Sequence, residues 1–184
     1  MSRLVTLLST LFGYMFIALS FLVAGETLLR KLFNVSIQGA DELGGYALAV
    51  GSSLAFAIAL AGRSHIRIDL IHRYLPAWLQ GWLNWLSALL MALFAVLLAW
   101  VCYTVVSDTQ DYGSTAATPW ATPLIYPQSV WYAALLLFTL VAVLLAVKAT
   151  YLLFTHRLER LNDEFHPKGA IEELQEEIED VAQR

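Results

Sequence analysis

Residues 62–78 read GRSHIRIDLIHRYLPAW and set three arginines, two histidines and an aspartate between two long runs that carry almost no charge. His65, Asp69 and His72 are spaced four and then three apart, so on a helix they share a face and could hold a divalent metal. A structural zinc site wants four ligands, which makes a solvated polar face the plainer reading of these three. A haem would need histidines deep in the helices as axial ligands, yet His65, His72, His156 and His166 all lie outside the apolar runs. Glu26 closes the first apolar run, and Arg30 follows it four residues later, acid first, the order of a local helix pair. The other use for such a carboxylate is a polar contact to another membrane subunit. No nucleophile motif, glycine-rich phosphate loop or catalytic carboxylate pair stands out. The expectation is therefore a protein that is neither an enzyme nor a nucleic-acid binder and that holds no metal or cofactor of its own.

The elements that must carry these residues follow from composition. Of the 184 residues, 59% are hydrophobic and only 14% are charged, against roughly 25% charged in a soluble domain. One water-soluble core cannot hide that much apolar surface, so the excess faces lipid. Cys102, the single cysteine, excludes an internal disulfide. Charge-free stretches run from Leu4 to Gly25, Leu43 to Gly62, Trp78 to Ser107 and Tyr112 to Val147. Each reaches the length of about 20 residues that a spanning helix needs, and none alternates with the period of a barrel strand. The expected fold is an all-α integral membrane protein with four transmembrane helices, at about 4–33, 41–62, 78–107 and 125–155. A membrane domain over 1–155 would then precede an acidic tail over 156–184. The first run has no short apolar core followed by a small-residue cleavage site and reads on through GETLLRKLF, so it is expected to remain as a span.

Boundary residues support these limits. Asp41 or Glu42 can start the second helix, favoured by the positive end of the helix dipole, and Pro76 suits the first turn of the third. The stretch STAATPWATPLIYPQ, with three prolines and no charge, reads as a loop entering the fourth helix. Trp78, Trp82, Trp85, Trp120, Trp131 and Tyr132 gather near predicted ends, as interfacial anchors do. Four spans put both termini and the second connection on one side. That side holds Arg3, Arg63, Arg67, Arg73, Arg157, Arg160 and Lys168, against Arg30 and Lys31 on the other, so it is expected to be cytoplasmic.

Over Ile66–Trp78 a helical wheel collects Ile66, Leu70, Ile71, Tyr74, Leu75 and Trp78 on one half and His65, Asp69, His72 and Arg73 on the other. Residues 63–77 are thus expected to form an amphipathic helix lying on the cytoplasmic interface between the second and third spans. Arg63 and Arg67 fall towards its apolar half. Either their stems snorkel the guanidinium to lipid phosphate, or they meet an acid or a helix end on a partner. The tail carries Ile171, Leu174, Ile178 and Val181 at helical spacing, with six of the chain's fifteen acids in its last fifteen residues. So acidic a segment avoids anionic lipid, and is either solvated or docked by its narrow stripe on a partner.

The order GADELGGYALAVGSSLAFAIALAGRSHIRIDLIHRYLP resembles the small, DctQ-like membrane subunit of tripartite ATP-independent periplasmic (TRAP) transporters. Asp41, Glu42 and Leu43 stand where that family opens its second helix with an acid-Glu-Leu start. One span later, Arg63, His65, Arg67, Asp69 and Leu70 follow its basic-His-basic-Asp-Leu segment, with looser spacing at Arg63. The resemblance covers about residues 4–155 and leaves out the acidic tail. It implies a non-enzymatic small permease subunit in the bacterial cytoplasmic membrane, part of a sodium-coupled, binding-protein-dependent system for organic acid anions. Substrate and sodium sites would lie in the large membrane subunit. The implied partners are that subunit, a periplasmic substrate-binding protein and membrane lipid. Glu26, Glu42, Arg63, His65, Arg67, Asp69 and Arg73 become candidates for subunit contact or lipid anchoring. The residues alone also admit an independent small regulatory or assembly protein of the membrane, or a quinone- or haem-linked anchor subunit.

Overall fold

The computed structural model describes residues 3–37, 39–62, 75–165 and 178. Among them are five α-helices and no strand: α1 Arg3–Phe33, α2 Ala40–Ala61, α3 Ala77–Tyr112, α4 Ile125–Phe154 and the short α5 Leu158–Phe165. The first four are long and apolar enough to cross a bilayer. The segment expected to form the interfacial amphipathic helix, 63–77, lies outside the described residues up to Tyr74.

Helix limits follow local chemistry. The third helix overruns the limit read from charge: α3 continues past Asp108 and Asp111 to Tyr112. Charges at a helix end can enter water without breaking it, and α3 stops instead at Gly113. That residue takes φ 58°, while the amides of Gly113 and Ser114 bond back to the carbonyls of Gln110 and Thr109. Helix α4 ends the same way with His156 at φ 54°, its amide on the Leu153 carbonyl and that of Arg157 on Leu152. A left-handed conformation costs a residue with a Cβ roughly 1–2 kcal/mol, so the packing that follows this turn must offset it. Pro127 sits in the first turn of α4, where its missing N–H is no loss.

The chain forms two compact units, Met1–Ile58 with Ala95–Leu140, and Ala59–Phe94 with Val141–Arg184. In the first, α2 is grooved where α1 lies on it. A Cβ on Gly51 would come within 2.7 Å of the Phe16 ring, and one on Gly44 would touch Leu19 and Val23. Phe56 of α2 packs on Phe138 of α4, with centroids 6.2 Å apart. The Thr139 hydroxyl of α4 donates across to the Ala95 carbonyl of α3 at 3.2 Å as well as back to Leu135 at 3.0 Å. In the second unit, the Trp85 indole N–H of α3 donates to Thr150 Oγ1 of α4 at 3.0 Å. Ala88, Ala149, Leu152, Leu153, Leu161 and Phe165 make up its buried cluster, the last two from α5.

Small residues make up most of the buried positions of α3. The buried positions of α3 include Ala88, Ala92, Ala95, Ala99 and Cys102, spaced four and three apart throughout, and α4 buries Ala134, Ala142, Ala146 and Ala149. The large side chains Leu90, Leu93, Leu97 and Trp100 point outward. Between helices in lipid there is little hydrophobic drive, so close backbone approach over small residues supplies the dispersion contacts. Replacing the fully buried Ala95 by Leu is expected to destabilise the chain by about 1–3 kcal/mol through overpacking, whereas Leu97→Ala, on the outer face, should shift stability by less than about 0.5 kcal/mol. Thermal unfolding of the purified protein in detergent compares the two. Equal effects would mean that the alanines are not the contact seam.

Candidate functional site

Two carboxylates inside the apolar sequence are almost fully buried, Glu26 and Glu42, at 2% and 7% exposure. Burying a charge is tolerable only if bonds replace the lost water, and each carboxylate has them. Glu26 Oε1 accepts from Arg30 Nη2 at 2.7 Å and Nε at 3.1 Å, and from Ser36 Oγ at 2.6 Å. Its Oε2 accepts from the Ile37 backbone N–H. The pair with Arg30 is the one that the four-residue spacing suggests. Ser36 and Ile37 come from the connection after α1, which leaves the helix at Asn34 with φ 58° and folds back over the carboxylate. Arg30 also reaches Asp41 of α2 at 3.5 Å, but with both side chains more than half exposed that contact is weak.

Glu42 stands in the first turn of α2, where the helix dipole favours an acid. Its Oε1 accepts from Tyr46 Oη at 2.7 Å, one turn along. Its Oε2 accepts from Thr118 Oγ1, from the connection between α3 and α4, and the Thr122 hydroxyl is a further partner. That connection closes on itself: Ala116 N–H donates to the Thr122 carbonyl at 2.9 Å, Leu124 N–H to Ser114 at 3.0 Å, and Thr115 bridges Pro123. At its tip, Trp120 lies on Gly39. A Cβ at Gly39 would stand 2.6 Å from the indole, and its φ of 89° belongs to glycine in any case. Gly39 also accepts the amide of Leu43 at 2.9 Å and so opens α2.

The result is a cap. Two buried carboxylates and a tryptophan fasten the α1–α2 and α3–α4 connections into one preformed surface, from which Asp41, Tyr112, Trp120 and Tyr126 project. Each carboxylate spends its lone pairs on donors of this chain, so what the arrangement does is hold shape. Among the described residues, no three His, Cys, Asp or Glu side chains gather as a metal would require. Of the residues singled out in the sequence, Glu26 and Glu42 are each built into this cap, through separate partners. Arg63, His65, Arg67, Asp69 and Arg73 lie outside the described residues. Sequence reading missed Ser36, Gly39, Tyr46 and Thr118, and took Trp120 only as an interfacial anchor. The available signal was two hydroxyl-bearing connections, the second with two prolines, on the same side of a chain that buries two acids.

Residues 19–151 match the family described as the DctQ component of tripartite ATP-independent periplasmic transporters. No curated protein and no solved structure matches the chain.

The cap geometry sets an expected outcome. Gly39→Ala introduces both a strained φ and a clash with Trp120, and should cost about 2 kcal/mol or more. Glu42→Ala should release the α3–α4 connection while Glu42→Gln, which keeps an acceptor for Thr118, releases it less. Amide hydrogen exchange over residues 114–124 measures this. Unchanged protection in Gly39→Ala and Glu42→Ala would show that the connection holds its shape without α2.

Proposed function

The chain belongs to the DctQ component family of the tripartite ATP-independent periplasmic transporters, and we propose that it works there as the scaffold of the membrane pair, carrying no substrate itself. The family is a transporter component, and four apolar helices suit a multi-pass protein of the bacterial cytoplasmic membrane. The observation that carries the scaffold reading is the use of the buried polar groups. Glu26 and Glu42 are bonded by the chain's own residues into a cap, where a substrate site would leave donors or acceptors aimed into a cavity. On this reading the large membrane subunit holds the organic acid anion and the sodium ions that drive its uptake. A periplasmic binding protein delivers the anion, and the cap offers it part of a docking surface. The small subunit widens and stiffens the large one in the bilayer through its outward-facing apolar helices.

The basic connection completes the assignment. Arg63, Arg67 and Arg73 seat the bundle at the cytoplasmic surface, through lipid phosphate or an acidic group of the large subunit, and place both termini in the cytoplasm. The cap then faces the periplasm.

Two experiments test this. Uptake of an organic acid into reconstituted vesicles is expected only with this chain, the large subunit, the binding protein and a sodium gradient together. Uptake by this chain alone would sink the scaffold reading. For orientation, Ser114→Cys should react with an impermeant maleimide added outside spheroplasts, and Ser64→Cys only after permeabilisation. The opposite pattern would invert the protein in the membrane.

A further inference from the structure

The family match ends at residue 151, and the chain then makes a sharp turn into an element that the match does not assign. We propose that α5 is a strap that locks the first turns of α3 to the last turns of α4, so that the C-terminal extension sets where the chain enters its third span. This reading stands apart from the transport assignment, since it rests only on contacts within one unit of the chain.

Four observations carry it. Leu161 is fully buried and Phe165 nearly so, both in the cluster with Ala88 of α3 and Leu152 and Leu153 of α4. The surface of α3 is recessed to receive the strap: a Cβ on Gly81 would stand 2.9 Å from Leu158 Cδ2. Asn162 spans the junction, since its Oδ1 accepts from the buried Asn84 at 3.2 Å while its Nδ2 donates to the Ala77 carbonyl at 3.0 Å. Ala77 is the first residue of α3, so this bond grips the point of entry itself. Finally, Lys148 of α4 pairs with Glu164 of α5 at 2.5 Å, and Arg160 lies 3.8 Å from the same carboxylate. A lysine two turns from the end of an apolar span needs a counter-charge or a route to water, and the strap brings the counter-charge.

A strap differs from a passive appendage in what its release does to α3. Packed elements with shared hydrogen bonds transmit a local opening, whereas a helix that merely rests on a surface leaves that surface unchanged when it departs. The test is amide hydrogen exchange on the full-length protein in detergent or nanodiscs, read separately over 158–165, 77–84 and 40–50. Leu161→Asp should raise exchange about tenfold or more over 158–165 and clearly over 77–84, with 40–50 unchanged. Asn162→Ala and Glu164→Gln, milder changes that keep the cluster intact, should raise it about two- to fivefold over the same two segments, given the modest worth of a half-exposed pair. Lys148→Met combined with Glu164→Gln should restore part of what Glu164→Gln loses. Acceleration confined to 158–165, or exchange over 158–165 in the unaltered protein as fast as in an unprotected peptide, would overturn the strap. If Leu161→Asp does not accumulate, the two milder variants decide the question by the same readout.

Discussion

In hydrocarbon, two apolar helices gain nothing by hiding from the solvent, because the lipid tails are as apolar as they are. What remains to hold such a bundle is close fit and the few polar groups that lipid cannot satisfy. The rest of this structure depends on that constraint. It explains why the apolar contact positions at mid-span of α3 are alanines and one cysteine while Leu90, Leu93, Leu97 and Trp100 face outward, the reverse of a soluble core. It also explains why each polar bond between elements is tied to a group with few alternatives. Thr139, Trp85, Asn162 and the two buried glutamates all bond across from one element to another.

How much of this was legible in the sequence depends on the range of the signal. The four spans could be read from gaps between charges, because the exclusion of charge from lipid acts residue by residue. The end of α3 was misplaced by several residues for a related reason: Asp108 marks where charge resumes, but a helix stops where its backbone is turned, at Gly113. The seam of α3 was present in the sequence as alanines at four- and three-residue spacing. It went unread because leucines and valines surround it, so the helix is apolar on every side and no face stands out. Of the polar groups, Glu26 was legible together with Arg30, four residues away. Glu42 was legible only as a helix-starting acid, since the Thr118 that completes its bonding lies 76 residues on. The docking of α5 was hidden in a stretch that reads by charge as the beginning of a solvated tail. Leu158, Leu161 and Phe165 make too short a stripe to announce a partner.

The two units of the chain solve the same problem with different chemistry. The first fastens its connections with carboxylates that accept from hydroxyls and a backbone amide, under a tryptophan. The second closes with a leucine and a phenylalanine, an asparagine pair and one lysine–glutamate contact. On the scaffold reading proposed above, rigidity at the connections would matter more than at mid-span, where a partner and the lipid would share the load.

The bond between Glu42 and Thr118 has a consequence in time. Chains grow from the N-terminus at roughly 5–20 residues per second, so Glu42 emerges roughly four to fifteen seconds before the hydroxyl that will face it. Glu26 waits only ten and eleven residues for Ser36 and Ile37. During the longer interval Glu42 has Tyr46 of its own helix as a partner and must take its remaining bonds from water or lipid headgroups. Synthesis of the α3–α4 connection thus completes the surroundings of a residue that opened the second span.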